Sequence, residues 1–113
     1  MKLIFLGTGT STGIPTIGIE RPVCYSKDSK DVRTRSSVVL QIKNKNILID
    51  CSPDFRQQML RSKISKIDAI LFTHEHSDHT AGLDDVRPIS FRHGKIPIYA
   101  HQRVISNLEK RFD

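Results

Sequence analysis

The chain has 113 residues, the size of one compact domain, and its 37% hydrophobic and 27% charged residues exclude a disordered chain. Eighteen Lys and Arg against twelve Asp and Glu leave +6, a charge that suits phosphate-bearing partners but is spread out rather than gathered into a nucleic-acid stripe. Two cysteines, Cys24 and Cys51, neither in a CxxC pair, exclude a disulfide framework and point to a reducing, cytoplasmic compartment; the apolar run Leu3 to Leu6 is too short for a signal sequence or a membrane span.

In chain order, Lys2 to Leu6 is a short apolar run stopped by Gly7 and predicts a buried strand. Gly7, Gly9, Gly13, Pro15, Gly18 and Pro22 then mark a long loop. The glycine spacing is G-x-G-x-x-x-G with no helix behind it, so a dinucleotide loop is rejected in favour of a mobile loop whose N–H groups meet phosphate. Ser37–Ile42 and Asn46–Asp50 predict a hairpin about Lys43-Asn44-Lys45. Ser52-Pro53-Asp54 reads as a capping hydroxyl, a proline at the first helical position and an acid in the first turn. Phe55, Met59, Leu60 and Ile64 give the helix an apolar face. Ile67–Phe72 predicts another strand, a helix is expected around Ala81–Val86, and Ile96–Ala100 predicts a strand in which Pro97 marks an edge or a strand start. Val104, Ile105, Leu108 and Phe112 share one face of a final helix. Strands first, then strands alternating with helices, indicate an α+β or mixed α/β layer arrangement.

The chemistry is concentrated in His74-Glu75-His76-Ser77-Asp78-His79, directly after a predicted strand. In an extended loop, residues two apart point the same way, so His74 and His76 can grip one cation. Asp78 and His79 lie further on and are placed for a second ion beside the first. Imidazole with carboxylate suits Zn²⁺ and also Mn²⁺, Fe²⁺ or Co²⁺, and no softer ligand singles one out. A pair of such ions activates a hydroxide and clamps a phosphodiester or carbonyl oxygen. The competing reading, a polar loop of solvated histidines, would explain a lone His but not four ligand-type residues at H-x-H-x-D-H spacing.

His74-x-His76-x-Asp78-His79, followed by Gly82-Leu83, resembles the signature of the metallo-β-lactamase-fold hydrolases. The Gly7-Thr-Gly9-Thr-Ser11 loop and Asp84-Asp85-Val-Arg87-Pro88 narrow the likeness. They resemble the branch of the 5-phosphoribosyl 1,2-cyclic phosphate phosphodiesterases, near the tRNA 3′-processing endonucleases. The resemblance implies His74 and His76 on one metal, Asp78 and His79 on the second, and Asp78 as the catalytic residue orienting the attacking hydroxide. It also implies that Asp50 braces the metal loop from behind the ligands; capping the following helix is the alternative for that residue.

The sequence departs from that branch at Ile19 and Arg21, which stand where two structural-zinc cysteines would be, so that zinc is not expected. Family members are also longer, and their further length supplies more metal ligands. The chain therefore resembles the N-terminal half of an αββα metallo-β-lactamase-type sandwich, a single domain over residues 1–113. The implied activity is metal-dependent hydrolysis of a small cyclic phosphodiester with two divalent ions in the complete site, this length alone being short of ligands. A tRNA 3′-processing endoribonuclease and a non-catalytic metal-binding or oligomerising module are the alternatives. A half-sandwich would expose apolar sheet surface, so a homo-oligomer is expected, with no membrane partner and nucleic acid not favoured. Asp84 and Asp85 are read as favouring a helix dipole, His93 and His101 as surface residues, and Cys51 as a buried, inert thiol. Arg87 is left between a substrate phosphate and a neighbouring acid.

Overall fold

The computed structural model describes residues 1–112. A five-stranded mixed sheet, in the order β1-β2-β3-β4-β5, organises it. The strands are β1 (Lys2–Gly7), β2 (Ser37–Ile42), β3 (Lys45–Ile49), β4 (Ala69–Leu71) and β5 (Ile98–Tyr99). The first three pair antiparallel; β4 and β5 add on parallel to β3. The helices are α1 (Phe55–Ser62), α2 (Ser77–Thr80), α3 (Arg87–His93) and α4 (Gln102–Arg111). Among the described residues, no helix is long and apolar enough to cross a membrane.

The expected hairpin forms with a tighter turn. Ile42 pairs with Lys45, leaving Lys43 and Asn44 as a two-residue loop with φ of 47° and 68°. Positive φ at both central residues matches the strand twist, and asparagine tolerates it well.

One sheet face carries the core. Leu6, Val39, Leu48 and Ile70, one from each of four neighbouring strands, are buried with Phe55 and Met59 of α1 and Val104 and Leu108 of α4. Each such side chain contributes roughly 1.5–3 kcal/mol by leaving water. The opposite face is apolar but uncovered. Leu3 opposes Leu40, Phe5 opposes Val38, and Ile49 opposes Leu71, which opposes Tyr99. Leu3, Phe5, Leu71 and Tyr99 are exposed. The strand predicted as buried over Lys2–Leu6 is therefore buried on one side only.

Several boundaries move for local reasons. α1 begins at Phe55 because Ser52 and Pro53 form a preceding turn, in which Ser52 Oγ accepts from the Asp54 amide at 3.1 Å. Pro53 is thus not the first helical residue, and the Asp54 carboxylate is held by Arg35 at 3.1 Å rather than by the helix end. Leu60, expected in the core, is exposed, while Gln58 is fully buried. Gln58 donates Nε2 to Thr34 Oγ1 and to the Arg35 carbonyl, both at 3.0 Å, and accepts from Ser52 Oγ at 3.2 Å. The helix expected around Ala81–Val86 is a 3-10 turn, Leu83–Val86, that runs on into α3. Pro88 in the first turn of α3 and Gly94 just past its end, at φ 93°, are the start and stop signals of that helix. β4 and β5 are shorter than predicted, although Ile67 and Phe72 are buried beside β4.

Candidate metal centre

β4 ends at Leu71, and Phe72-Thr73 lead the chain into the histidine segment. The segment is not the extended loop that the spacing suggests. The chain turns helical at Ser77, so Asp78 and His79 ride on α2. The His79 amide donates to the His76 carbonyl at 3.0 Å, which wraps His79 back over the loop. The His74 and His79 ring centroids are 4.1 Å apart, and those of His74 and His76 are 4.6 Å apart and nearly perpendicular.

Asp50 sits directly beneath, at the end of β3, with φ of 62°. This left-handed conformation is uncommon for a side chain larger than hydrogen but accessible to aspartate, and it is a local strain of the kind found at functional sites. It does not cap α1. Its buried carboxylate accepts from the Thr73 amide at 2.8 Å, from Thr73 Oγ1 at 2.7 Å, and meets His79 Nδ1 at 2.7 Å. Ligand atoms of Asp50, His74 and His79 all lie within 4.8 Å of one another. Both Asp50 oxygens already accept hydrogen bonds, from the Thr73 amide on one side and from Thr73 Oγ1 with His79 Nδ1 on the other. The grouping also joins His74 with His79, across the expected division into a His74/His76 pair and an Asp78/His79 pair.

The donor set fits a divalent cation. His79 has a carboxylate at each nitrogen: Asp50 Oδ2 at 2.7 Å from Nδ1 and Asp78 Oδ2 at 3.0 Å from Nε2. With Nδ1–H given to Asp50, Nε2 and Asp78 are two acceptors face to face, and only a proton or a cation between them relieves that. Imidazole and carboxylate are the ligands that Zn²⁺ and Mn²⁺ accept. His76 projects beside them and is exposed.

The backbone around the centre is tied down. The Cys51 amide donates to the His79 carbonyl at 2.8 Å, and the Gly82 amide to the Cys51 carbonyl at 3.1 Å. A Cβ on Gly82 would stand 1.9 Å from the Ser52 carbonyl oxygen, so only glycine lets α2 lie this close to the end of β3. From α4, Arg111 Nη1 donates to the Glu75 carbonyl at 3.0 Å and to Thr80 Oγ1 at 2.9 Å. Arg103 pairs with Glu75 at 3.2 Å; a turn-local backbone hydrogen bond and this cation hold the Glu75 carboxyl below its ordinary range.

Other candidates fall outside the centre. Asp84 and Asp85 lie exposed in the first turn of the 3-10 segment. Arg87 donates Nε to the Asp84 carbonyl at 2.9 Å, and its guanidinium pairs with no carboxylate among the described residues. His93 is exposed, whereas His101 does structural work, because its Nδ1 accepts from the Arg103 amide at 3.0 Å and caps α4. Cys51 is fully buried, and burial, with Asp85 and Asp50 nearby, pushes its thiol far above the ordinary range. The Gly7–Gly13 loop does not offer all its amides to a ligand, since Gly9 and Gly13 donate to the Thr34 and Thr10 carbonyls. Thr73 joins the site without being marked by the spacing of the histidines. Its hydroxyl meets Asp50 and, at 2.8 Å, His74 Nδ1, and its one sequence signal is a hydroxyl residue directly before the first histidine.

The beta-lactamase superfamily domain matches residues 45–113, more than half of the chain and all of the histidine segment. The chain belongs to this family. A relative from Porphyromonas gingivalis named octanoyltransferase is 50% identical over 112 residues, covering 98% of this chain and 23% of that protein. Ribonuclease Z of Listeria innocua is 36% identical over 85 residues, covering 74% of this chain and 24% of that protein. Among solved structures, a diphosphatase from the PhnP family superposes with a TM-score of 0.93 at 50% identity, over 97% of this chain and 45% of that one. Zn²⁺-bound PqqB from Methylobacterium extorquens superposes at 0.80 with 26% identity, over 97% of this chain and 40% of that one. The chain thus spans less than half the length of each of these relatives. The metallo-β-lactamase fold implied by the sequence resemblance is the fold observed, a mixed sheet with helices against one face.

Proposed function

We propose that the chain carries the metal-ligating part of a metal-dependent hydrolase acting on a small cyclic phosphodiester in the cytoplasm. The observation that carries this reading is the convergence of His74, His79 and Asp50, with Asp78 at the second nitrogen of His79. The likeness to a PhnP-family diphosphatase and to ribonuclease Z, both named for cleaving phosphate linkages, supports a phosphoryl substrate. The octanoyltransferase relative is matched over only 23% of its length, so its name brings no substrate to this chain.

His74 and His76 would hold one ion and Asp78 with His79 a second, zinc first and manganese or iron as alternatives. Divalent ions bound there supply Lewis acidity toward a phosphoryl oxygen and lower the pKa of water. The chain's own residues do the rest. Asp50 accepts the Nδ1–H hydrogen bond of His79 and so leaves Nε2 as the free lone pair on the ligand side. Thr73 spans Asp50 and His74 and fixes the His74 ring. Asp78, half-buried beside His79, orients the attacking hydroxide.

The test is hydrolysis of a five-membered cyclic phosphodiester by the protein supplied with Zn²⁺ or Mn²⁺. Turnover that collapses in Asp78→Asn together with loss of the second ion, the fold remaining intact by circular dichroism, supports the reading. A folded, metal-loaded oligomer without turnover under any divalent ion favours a binding or assembly module, a second reading that the exposed Leu3, Phe5, Leu71 and Tyr99 face supports through self-association. Cleavage of RNA in preference to the cyclic ester would favour the processing nuclease.

A further inference from the structure

A second cluster lies away from the histidines, against the outer side of β1. A cavity of about 320 Å³ is walled by Lys30, Arg33 and Arg61, with the hydroxyl residues Thr8, Ser29 and Thr34. None of the three cations is ion-paired among the described residues, although Arg35, Lys45, Lys66 and Arg103 all find carboxylates. The nearby acids are turned to other work: Asp31 accepts from Ser26 Oγ, and Asp28 from the Lys30 amide. No acidic residue lines the cavity.

The guanidiniums are nevertheless positioned. Arg33 donates Nε to the Lys30 carbonyl at 2.6 Å and Nη1 to Thr8 Oγ1 at 2.9 Å. Arg61 reaches from α1 to the Leu6 carbonyl, which Thr34 Oγ1 also meets at 3.2 Å. Part of each fork is pinned to neutral oxygens, so the remaining N–H groups and the full charge are left over, at reduced ordering cost, for an anion. A neighbouring cavity of about 410 Å³ shares Phe5, Gly7 and Thr8 with the first and extends to Asp50 beneath the histidines. The second cavity therefore adjoins the cationic groove at Phe5, Gly7 and Thr8 and has Asp50 in its lining.

We infer that this groove binds the phosphate or diphosphate group of a small ester substrate, the anionic end being held by Lys30, Arg33 and Arg61 while the reacting end reaches Asp50's side. The link to catalysis rests on the function proposed above; the anion site itself does not. Its size lies at the lower limit of small-ligand pockets, which suits a phosphate or diphosphate group rather than a nucleic-acid duplex.

The test titrates inorganic phosphate and pyrophosphate into chelator-treated protein and follows backbone amide NMR shifts. Saturable shifts at Thr8 and Ser29 to Thr34, larger affinity for pyrophosphate, and roughly tenfold weakening in Lys30→Gln and Arg33→Gln are expected. Because Arg61 also caps a strand carbonyl, Lys30→Gln, whose ammonium bonds nothing in the fold among the described residues, separates binding from folding. Lys43→Gln, which removes the same charge from the hairpin turn, leaves affinity unchanged. Absence of saturation, or an equal loss in Lys43→Gln, overturns the site. Tighter and steeply salt-dependent binding of single-stranded RNA than of pyrophosphate overturns the small-anion assignment. Since no metal is present, a failed metal centre leaves these results intact, and a failed groove leaves metal binding intact.

Discussion

Two polar clusters flank the end of β3, and they are built differently. Around Gln58, fully buried, both amide groups are matched by Thr34, the Arg35 carbonyl and Ser52, so nothing remains to bind. Around Asp50 the carboxylate is equally well matched by Thr73 and His79, but the matching stops one layer out. His79 Nε2 faces Asp78 with nothing but a proton or a cation to reconcile them, and His76 stands exposed. Burial of polar groups is common to both clusters. What sets the second apart is a satisfied carboxylate beneath imidazole and carboxylate atoms that face outward, the donor types a divalent cation takes.

The largest effect that would break this comparison is on metal binding. His79→Ala removes the residue shared by Asp50 and Asp78 and is expected to cost more than the roughly 10–100-fold typical of an outer partner. Titration calorimetry with Zn²⁺, alongside circular dichroism showing an intact fold, checks it. Asp50→Asn should fall within that roughly 10–100-fold range, because asparagine holds the Thr73 contacts but cannot equally fix the His79 tautomer. Gln58→Leu should do the opposite. It leaves the Arg35 carbonyl and Ser52 without their buried partner and costs about 1–3 kcal/mol in urea melts, with metal affinity unchanged.

How far these clusters are legible in the sequence follows the same division. His74, His76, Asp78 and His79 announce themselves because four ligand-type residues at fixed spacing have no other economical reading. Thr73 and Gln58 are silent, since a hydroxyl or an amide has a partner only once the chain has folded back on it. The core face of the sheet is readable through alternation at Val39 and Leu48, but Leu3 and Phe5 look equally apolar and are exposed. Alternation in an apolar run cannot say which face is covered. α3 is hidden because Pro88 reads as a breaker until its place in the first helical turn is seen.

A smaller effect sharpens the picture away from the centre. Asp68 accepts the Asn46 amide at 2.8 Å and lies near Lys66 and Lys45; that hydrogen bond, then the two cations, hold its carboxyl below the usual range. Its contribution is complete above the unfolded carboxylate pKa and is lost as pH falls through the lower folded value. Asp68→Asn should therefore cost about 1 kcal/mol at neutral pH and little at strong acid, read from denaturant midpoints across pH.

The most direct test is metal per chain, by elemental analysis of protein purified without chelators or affinity metal. About one to two divalent ions per chain, falling sharply in His79→Ala, is the predicted result. Near-zero metal in the unmodified chain, or metal that His79→Ala leaves in place, would contradict the claim that this histidine cluster is a metal centre.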